Sequence, residues 1–222
     1  VPETLAQIRN REEGRRTYLD RHPELRDFYN DNDRHTPSNK DRNDHTTLID
    51  ELEDWEYDAL VRADAAPAVR AVTLTGEGGS FCAGADLGGS FGEEQSFLDK
   101  HDERGYYAGL LVKMNRCKKP ILAAVEGYCL AGGMGLCLSS DVVVASEDAL
   151  FGLPEIKRGL WPYMVTAVLV RNVGRKKAAE LCMTGERISA AEAERIGIVN
   201  HCVPKQEFDE KVAGMAAKLS SF

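Results

Sequence analysis

The stretch Lys118–Leu136, KKPILAAVEGYCLAGGMGL, decides the fold. Pro120 ends any helix that precedes it, and Ile121–Val125 is a short apolar run typical of a buried strand. Gly127–Gly135 follows as a glycine-rich turn that enters a helix, and Val142–Ala145 predicts another strand. A strand, a helix and a strand in this order require a crossover connection, so we predict a largely parallel sheet of the α/β class.

The segments before this stretch continue the alternation of helices and strands. Val69–Thr75 is rich in β-branched residues and lies between Pro67 and a group of glycines, which predicts a short buried strand. In Thr46–Val61 the apolar residues recur every three or four positions, as on one face of a helix. We predict a second helix over Glu94–Arg116.

The two ends of the chain differ from its centre. Residues 1–45 are crowded with Arg, Asp, Glu and Asn and hold almost no Val or Ile, so we expect an atypical polar arm, partly disordered. The core then covers residues 46–204, and a last helix falls within 205–222. Near the end of the core, Ser189 and Glu192 have the spacing of a capping box at a helix start.

Composition excludes several classes of protein. Apolar residues make up 43% of the chain, but no apolar run approaches the roughly 20 residues of a membrane helix, and we expect no basic, apolar leader. We expect a soluble, cytoplasmic protein. A net charge of -8 argues against nucleic acid as the main partner. A local basic patch for a phosphate could come from Lys157, Arg158, Arg175, Lys176 and Lys177, with a solvated helix face as the plainer alternative. The six cysteines include no C-x-x-C pair, so we expect reduced thiols and no metal site.

Two glycine-rich turns follow strands, Gly76–Asp86 and Gly127–Gly135, and both could present backbone N–H groups to an anion. Gly79–Gly84 has the glycine interval of a P-loop, but Ala85 and Asp86 stand where Lys and Ser or Thr are required, so a nucleotide site is rejected. The second turn opens a helix, whose free N–H groups favour negative charge on a ligand. Tight packing is the plainer alternative for such glycines.

Four segments of the chain stand in a distinctive order and spacing: Phe81–Leu87, Lys118–Leu136, Ser139–Leu160 and Thr184–Pro204. Together they resemble the crotonase family of enoyl-CoA hydratases and isomerases. The resemblance implies a spiral of ββα turns with largely parallel sheets and C-terminal helices. It also implies assembly as homotrimers or pairs of trimers, and an acyl-CoA thioester as the substrate. Coenzyme A is then part of the substrate, and no separate cofactor is expected.

In that family two backbone N–H groups bind the thioester oxygen, and the matching positions here are Ala85 and Gly132. Preorganised donors suit this chemistry because negative charge develops on that oxygen as an enolate forms. The resemblance implies that Ala83 meets the adenine of coenzyme A. It further implies substrate contacts for Asp86, Leu87, Gly133 and Gly135.

The carboxylates distinguish the reactions of the family. Its hydratases carry two glutamates, and the matching positions here are Gly135 and Glu155. A single carboxylate suits a proton shuttle, so we slightly favour double-bond isomerisation, with Glu155 as an acid and base whose pKa is raised by burial. Hydration with an unrecognised second group, thioester hydrolysis, decarboxylation and non-catalytic binding remain alternatives. Trp161 and Tyr163 either line the acyl pocket or pack a helix.

Overall fold

The computed structural model of the chain describes residues 6–8, 57–76, 78–84 and 97–221. The larger of its two sheets contains β1 (Ala6–Ile8), β2 (Val72–Thr75), β3 (Ile121–Val125), β5 (Val142–Ser146) and β8 (His201–Val203). Their order is β1-β2-β3-β5-β8, and every neighbouring pair is parallel. The predicted parallel sheet is therefore confirmed.

A smaller sheet was not predicted from the sequence. It contains β4 (Tyr128–Leu130), β6 (Leu150–Gly152) and β7 (Arg187–Ser189). The first two are parallel and the last pair is antiparallel. The stretch that we interpreted as one long glycine-rich turn thus contains a strand before its helix begins.

Six α-helices lie in the described residues. They are α1 (57–65), α2 (Phe97–Arg116), α3 (Gly132–Ser139), α4 (Tyr163–Thr184), α5 (Ala190–Arg195) and α6 (Phe208–Ser220), with short 3-10 helices at Pro154–Arg158 and Lys205–Glu207. The predicted capping box is confirmed at its N-cap, because the Ser189 hydroxyl accepts a hydrogen bond of 3.2 Å from the Glu192 N–H. Of the predicted N-terminal arm, the structure describes only β1, and residues 46–56 of the predicted first helix also lie outside the described residues.

Strands β3 and β5 of the larger sheet are buried on both faces, which is the environment expected for apolar runs of this kind. Ile121, Ala123 and Val125 of β3 join the main core beneath α2 and α3. Leu122 and Ala124 face the opposite way and pack against Phe208 and Ala216 of α6, together with Val144. This alternation follows from the two-residue period of a strand.

Three further expectations concern the cysteines, membranes and metals. All six cysteines are free thiols, and Cys129, Cys137 and Cys182 are buried. Of the helices in the described ranges, none is long and apolar enough to cross a membrane. Within the same ranges, no cluster of His, Cys, Asp or Glu side chains is arranged to hold a metal ion.

The carboxylate of Asp64 ties α1 to the segment that leads into β3. It accepts hydrogen bonds from the Lys113 ammonium at 2.7 Å and from the Lys118 N–H at 2.8 Å. The Asp64 side chain is only 10% exposed. The hydrogen bond from Lys113, followed by that from the Lys118 N–H, lowers the pKa of Asp64 from 3.8 to about 2.

The variant Asp64→Asn is expected to lower the free energy of unfolding at pH 7 by about 1–2 kcal/mol. Because the folded-state pKa is depressed, this stabilisation is complete above the unfolded pKa of 3.8 and is lost as the pH falls towards 2. Urea unfolding at pH 7 and pH 3 measures it, with Asp209→Asn on the exposed side of α6 as the control. An equal deficit at both pH values would contradict the assignment.

Candidate active site

Three parallel chain segments end at the same edge of the molecule. Cys82 forms a parallel bridge with Cys129, and the Leu130 N–H donates to the Cys82 carbonyl at 2.9 Å. On the other side of β4, Leu130 stands opposite Gly152 of β6. Since parallel strands end at one edge, the turn after Cys82, the start of α3 and the 3-10 helix after β6 meet there.

The turn into α3 is held in a strained conformation. Ala131 has φ 50° and ψ −118°, and it is the only non-glycine residue with positive φ in the described ranges. Its N–H donates to the Gly152 carbonyl at 3.0 Å, which fixes the turn against β6. A non-glycine residue in this region costs free energy, and such strain is concentrated at functional sites.

This conformation of Ala131 directs the first N–H groups of α3 towards the edge of the molecule where the three chain segments end. No acceptor among the described residues takes a hydrogen bond from the N–H of Gly132 or Gly133. Unpaired donors and the helix dipole make a helix N-terminus favourable for an anion. A Cβ added to Gly133 would overlap the carbonyl oxygen of Cys82, so this glycine is required for close packing as well.

Gly84 brings the first glycine-rich turn against the second. Its φ is +92°, and a Cβ built on it would lie 2.6 Å from the Ala131 Cβ and 3.4 Å from the Gly132 nitrogen. Only glycine fits this contact. The neighbouring Ala83 is exposed and accessible to a ligand. Ala85, Asp86 and Leu87 lie outside the described residues, so their roles stay predictions.

Glu155 enters the site from the 3-10 helix that follows β6, with Pro154 at its first position. The side chain is half-buried, and its Oε2 atom is buried with no hydrogen-bond partner in the part of the chain described. Burial raises the pKa of Glu155 above its usual 4.5 and outweighs the hydrogen bond from its own N–H, which lowers it. The predicted direction of the pKa shift is confirmed.

A second feature of this carboxylate is its neighbour on α4. Burial raises the pKa of the Cys182 thiol, and the negative charge of Glu155 raises it further. The Cys182 sulfur lies 3.6 Å from the Thr166 hydroxyl oxygen. Among the described residues, no cation lowers the pKa of Glu155, so nothing there offsets the cost of burying its ionised form except the hydrogen bond from its own N–H.

Gly135 lies one turn further along α3 and faces a tyrosine that sequence analysis did not identify. A Cβ built on Gly135 would overlap the hydroxyl oxygen of Tyr107 and lie 3.2 Å from the Val165 Cγ2. The Tyr107 hydroxyl donates to the Gly132 carbonyl at 2.5 Å. The phenol of α2 thus fills the space that a side chain at position 135 would use. No local pattern in the sequence reveals the contact between Tyr107 and Gly132, because these residues lie on different helices and are 25 residues apart.

The two aromatic side chains predicted either to line the acyl pocket or to pack a helix differ in how far they are exposed. Trp161 is half-buried and packs against the main core. Tyr163, at the first position of α4, is 77% exposed, so helix packing among the described residues does not account for an aromatic side chain at this position. The basic side chains of Lys157 and Arg158 are exposed on the 3-10 helix that carries Glu155.

Comparison with known proteins identifies the family. A family model described as enoyl-CoA hydratase/isomerase matches residues 40–221. An enoyl-CoA hydratase of Mycobacterium tuberculosis is 39% identical over 167 residues, which are 72% of this chain and 61% of that protein. The mitochondrial enoyl-CoA hydratase of Pongo abelii is 37% identical over 179 residues, which are 78% of this chain and 58% of the relative. The chain belongs to the enoyl-CoA hydratase/isomerase family, and the resemblance seen in its motifs is confirmed.

The solved structures agree with this assignment. The crystal structure of enoyl-CoA hydratase from Mycobacterium smegmatis matches with a TM-score of 0.73 and 32% identity, covering 76% of this chain and 65% of that one. The predicted crotonase fold is therefore confirmed. The chain spans about half to three quarters of the length of the curated relatives that it matches.

Proposed function

We propose that the protein binds an enoyl-CoA thioester and stabilises its enolate, with Glu155 as the general acid and base. The observation that carries this proposal is the buried, unpartnered Oε2 atom of Glu155 at the edge where the Gly132 N–H is presented. A carboxylate whose pKa burial has raised is suited to exchange protons near neutral pH.

The proposed mechanism uses these groups in sequence. The thioester oxygen accepts hydrogen bonds from the Gly132 N–H and, on the family pattern, from the Ala85 N–H. Glu155 removes a proton from the carbon beside the thioester carbonyl, and the electron pair moves onto the thioester oxygen. Each preorganised donor stabilises the resulting enolate by about 3–4 kcal/mol. The strained Ala131 supports this role for Gly132, because it fixes the N–H before the substrate arrives.

Double-bond isomerisation is the first candidate reaction. Position 135 has no carboxylate, and Tyr107 fills the space beside it. One carboxylate is sufficient for isomerisation, in which Glu155 takes a proton from one carbon and returns it two atoms along the chain.

Hydration is the second candidate, because the relatives are predominantly named enoyl-CoA hydratases. In either reaction the phosphates of coenzyme A would bind beside Glu155, where the basic side chains of Lys157 and Arg158 are exposed on the same 3-10 helix.

An assay of the purified protein on 3-enoyl-CoA and 2-enoyl-CoA substrates, in water and in deuterium oxide, tests the function. Mass spectrometry detects water addition as a gain of one water and proton exchange as deuterium incorporation. Absorbance of the conjugated thioester follows double-bond migration. We expect migration and exchange on the 3-enoyl substrate. Binding of both thioesters with no exchange would favour a non-catalytic relative, whereas release of free thiol would favour hydrolysis.

The pH dependence of kcat/KM provides a further prediction. Glu155 acts as a base only when ionised, and its pKa is raised above 4.5. The rate is therefore expected to fall with decreasing pH along a limb whose midpoint lies above 4.5. In the variant Glu155→Asp the limb should persist with a lower plateau. A midpoint at or below 4.5 would contradict burial of the working carboxylate.

Assembly and location remain predictions. Trimers or pairs of trimers are expected on the family pattern, and the 77% exposure of Tyr163 and 65% exposure of Met183 support burial of α4 surface against another copy. A cytoplasmic location is the expectation from the sequence, although relatives from Pongo abelii and Dictyostelium discoideum are named mitochondrial.

A further inference from the structure

We propose that Tyr107 is a positioning residue for the oxyanion site, whose hydroxyl holds the start of α3 so that the Gly132 N–H is aimed at the thioester oxygen. The inference rests on the proposed function and deepens it, because it names the side chain that fixes this donor. Tyr107 lies on α2, whereas Gly132 is the first residue of α3. The role requires only the hydrogen bond that Tyr107 donates, and no contact with Glu155.

The segment that carries the donor begins with two consecutive glycines. Gly132 and Gly133 have no Cβ, so their own side chains do nothing to restrict the backbone. Neither N–H is held by an acceptor among the described residues. A hydrogen-bond donor stabilises an oxyanion fully only when its direction is fixed before the charge develops. The direction of the Gly132 N–H must therefore be set by hydrogen bonds to the neighbouring peptide groups.

Two hydrogen bonds set the direction of this N–H. The Met134 N–H donates to the Ala131 carbonyl at 3.0 Å. Because the C=O and N–H of a trans peptide point in opposite directions, this bond also orients the Gly132 N–H. It spans both glycines, however, so it persists only while their backbone angles are kept. The Tyr107 hydroxyl donates to the Gly132 carbonyl at 2.5 Å and so holds the peptide that joins the two glycines.

The Tyr107 ring also packs along the glycine to which it is hydrogen-bonded. Its Cε2, Cζ and hydroxyl oxygen each lie 3.7 Å from the point where a Cβ of Gly132 would stand. Gly135 makes room for the hydroxyl, because a Cβ there would overlap the phenol oxygen and lie 3.2 Å from the Val165 Cγ2. Gly132 and Gly135 are three residues apart and share one face of α3. A phenylalanine at position 107 would keep the ring contact and remove only the hydrogen bond.

The variant Tyr107→Phe is expected to weaken enolate binding without weakening ground-state binding. The probe is acetoacetyl-CoA, which ionises to an enolate that absorbs in the near ultraviolet, and both proteins carry Glu155→Gln so that this carboxylate does not titrate. With Tyr107 present, the pH at which half of the bound probe is enolate should lie below that of the free thioester. Tyr107→Phe should raise this midpoint by about one pH unit, a tenfold loss. The Kd of butyryl-CoA, a saturated thioester, should stay within about threefold.

Two further variants in the same background separate the hydrogen bond from the fold. Tyr106→Phe makes the same change at the neighbouring position of α2, where the ring packs edge-on at 6.0 Å from that of Tyr57, and it should leave the midpoint unchanged. Gly135→Ala introduces a Cβ that displaces the Tyr107 oxygen, and it should raise the midpoint by a similar amount. Circular dichroism and thermal unfolding establish that each variant folds. The enolate midpoint is the readout that a merely structural role would not change.

Two outcomes would overturn the inference alone. An unchanged midpoint in Tyr107→Phe would mean that the Gly132 N–H keeps its direction without the phenol. An equal loss of affinity for butyryl-CoA and for the enolate would mean that Tyr107 only supports the fold. Failure of the proposed function is a different result, because the protein that retains Tyr107 would then bind acetoacetyl-CoA with the midpoint of the free thioester, and Gly132 would be no oxyanion donor.

Discussion

Replacement of Glu155 by glutamine is expected to lower kcat for deuterium exchange, double-bond migration and hydration together by about 10²- to 10⁴-fold. Every reaction of the proposed set passes a proton through this carboxylate, and a glutamine amide of the same shape cannot accept it. The KM should change little, because the backbone donors that bind the thioester are retained. Steady-state rates on both enoyl-CoA substrates measure the effect.

The same variant should not lose stability near neutral pH. Because burial raises the folded-state pKa of Glu155 above 4.5, its contribution to stability is complete below that pH and is lost as the pH rises through the folded pKa. Removing the charge therefore leaves the Tm unchanged or slightly higher at pH 7. Glu210→Gln makes the same chemical change on the exposed face of α6 and is the control. An active Glu155→Gln variant would exclude the mechanism.

The variant Gly84→Ala is expected to lower kcat/KM about 100-fold. The added Cβ would stand 2.6 Å from the Ala131 Cβ, so one of the two turns must move. Movement of either turn changes the spacing between the Gly132 N–H and the donor predicted at Ala85. A displacement of about 1 Å at an oxyanion site is sufficient for a loss of this size.

Gly79→Ala provides the matched control for this prediction. Gly79 also has positive φ, at +77°, but a Cβ built on it meets no atom within 4 Å. Both variants therefore lose about 1–2 kcal/mol of stability from the backbone conformation, and only Gly84→Ala introduces a clash. Thermal unfolding and kcat/KM of the two proteins separate the effects. Equal activity in both would show that contact between the turns does not matter for catalysis.

The sequence by itself was sufficient for the elements whose pattern is local. The buried strands β3 and β5 are apolar runs bounded by turn residues, and they were predicted within one residue of their observed ends. The capping hydroxyl of Ser189 depends on a spacing of three residues, which is visible in any sequence. Ordered motifs likewise identified the family and the candidates Gly132 and Glu155.

The tertiary structure alone decided the features that join distant segments. Strands β4, β6 and β7 have three residues each, which is too short for a period to be recognised, and pairing with one another stabilises them. The burial of the Glu155 Oε2 atom without a hydrogen-bond partner among the described residues depends on which segments pack around it. The Tyr107 ring reaches α3 because α2 packs against α3 at Gly135. Gly135 has no side chain, and the Tyr107 hydroxyl fills the space that a Cβ would use there. A helical pattern indicates which residues share a face, but only packing determines which of them meets the glycine.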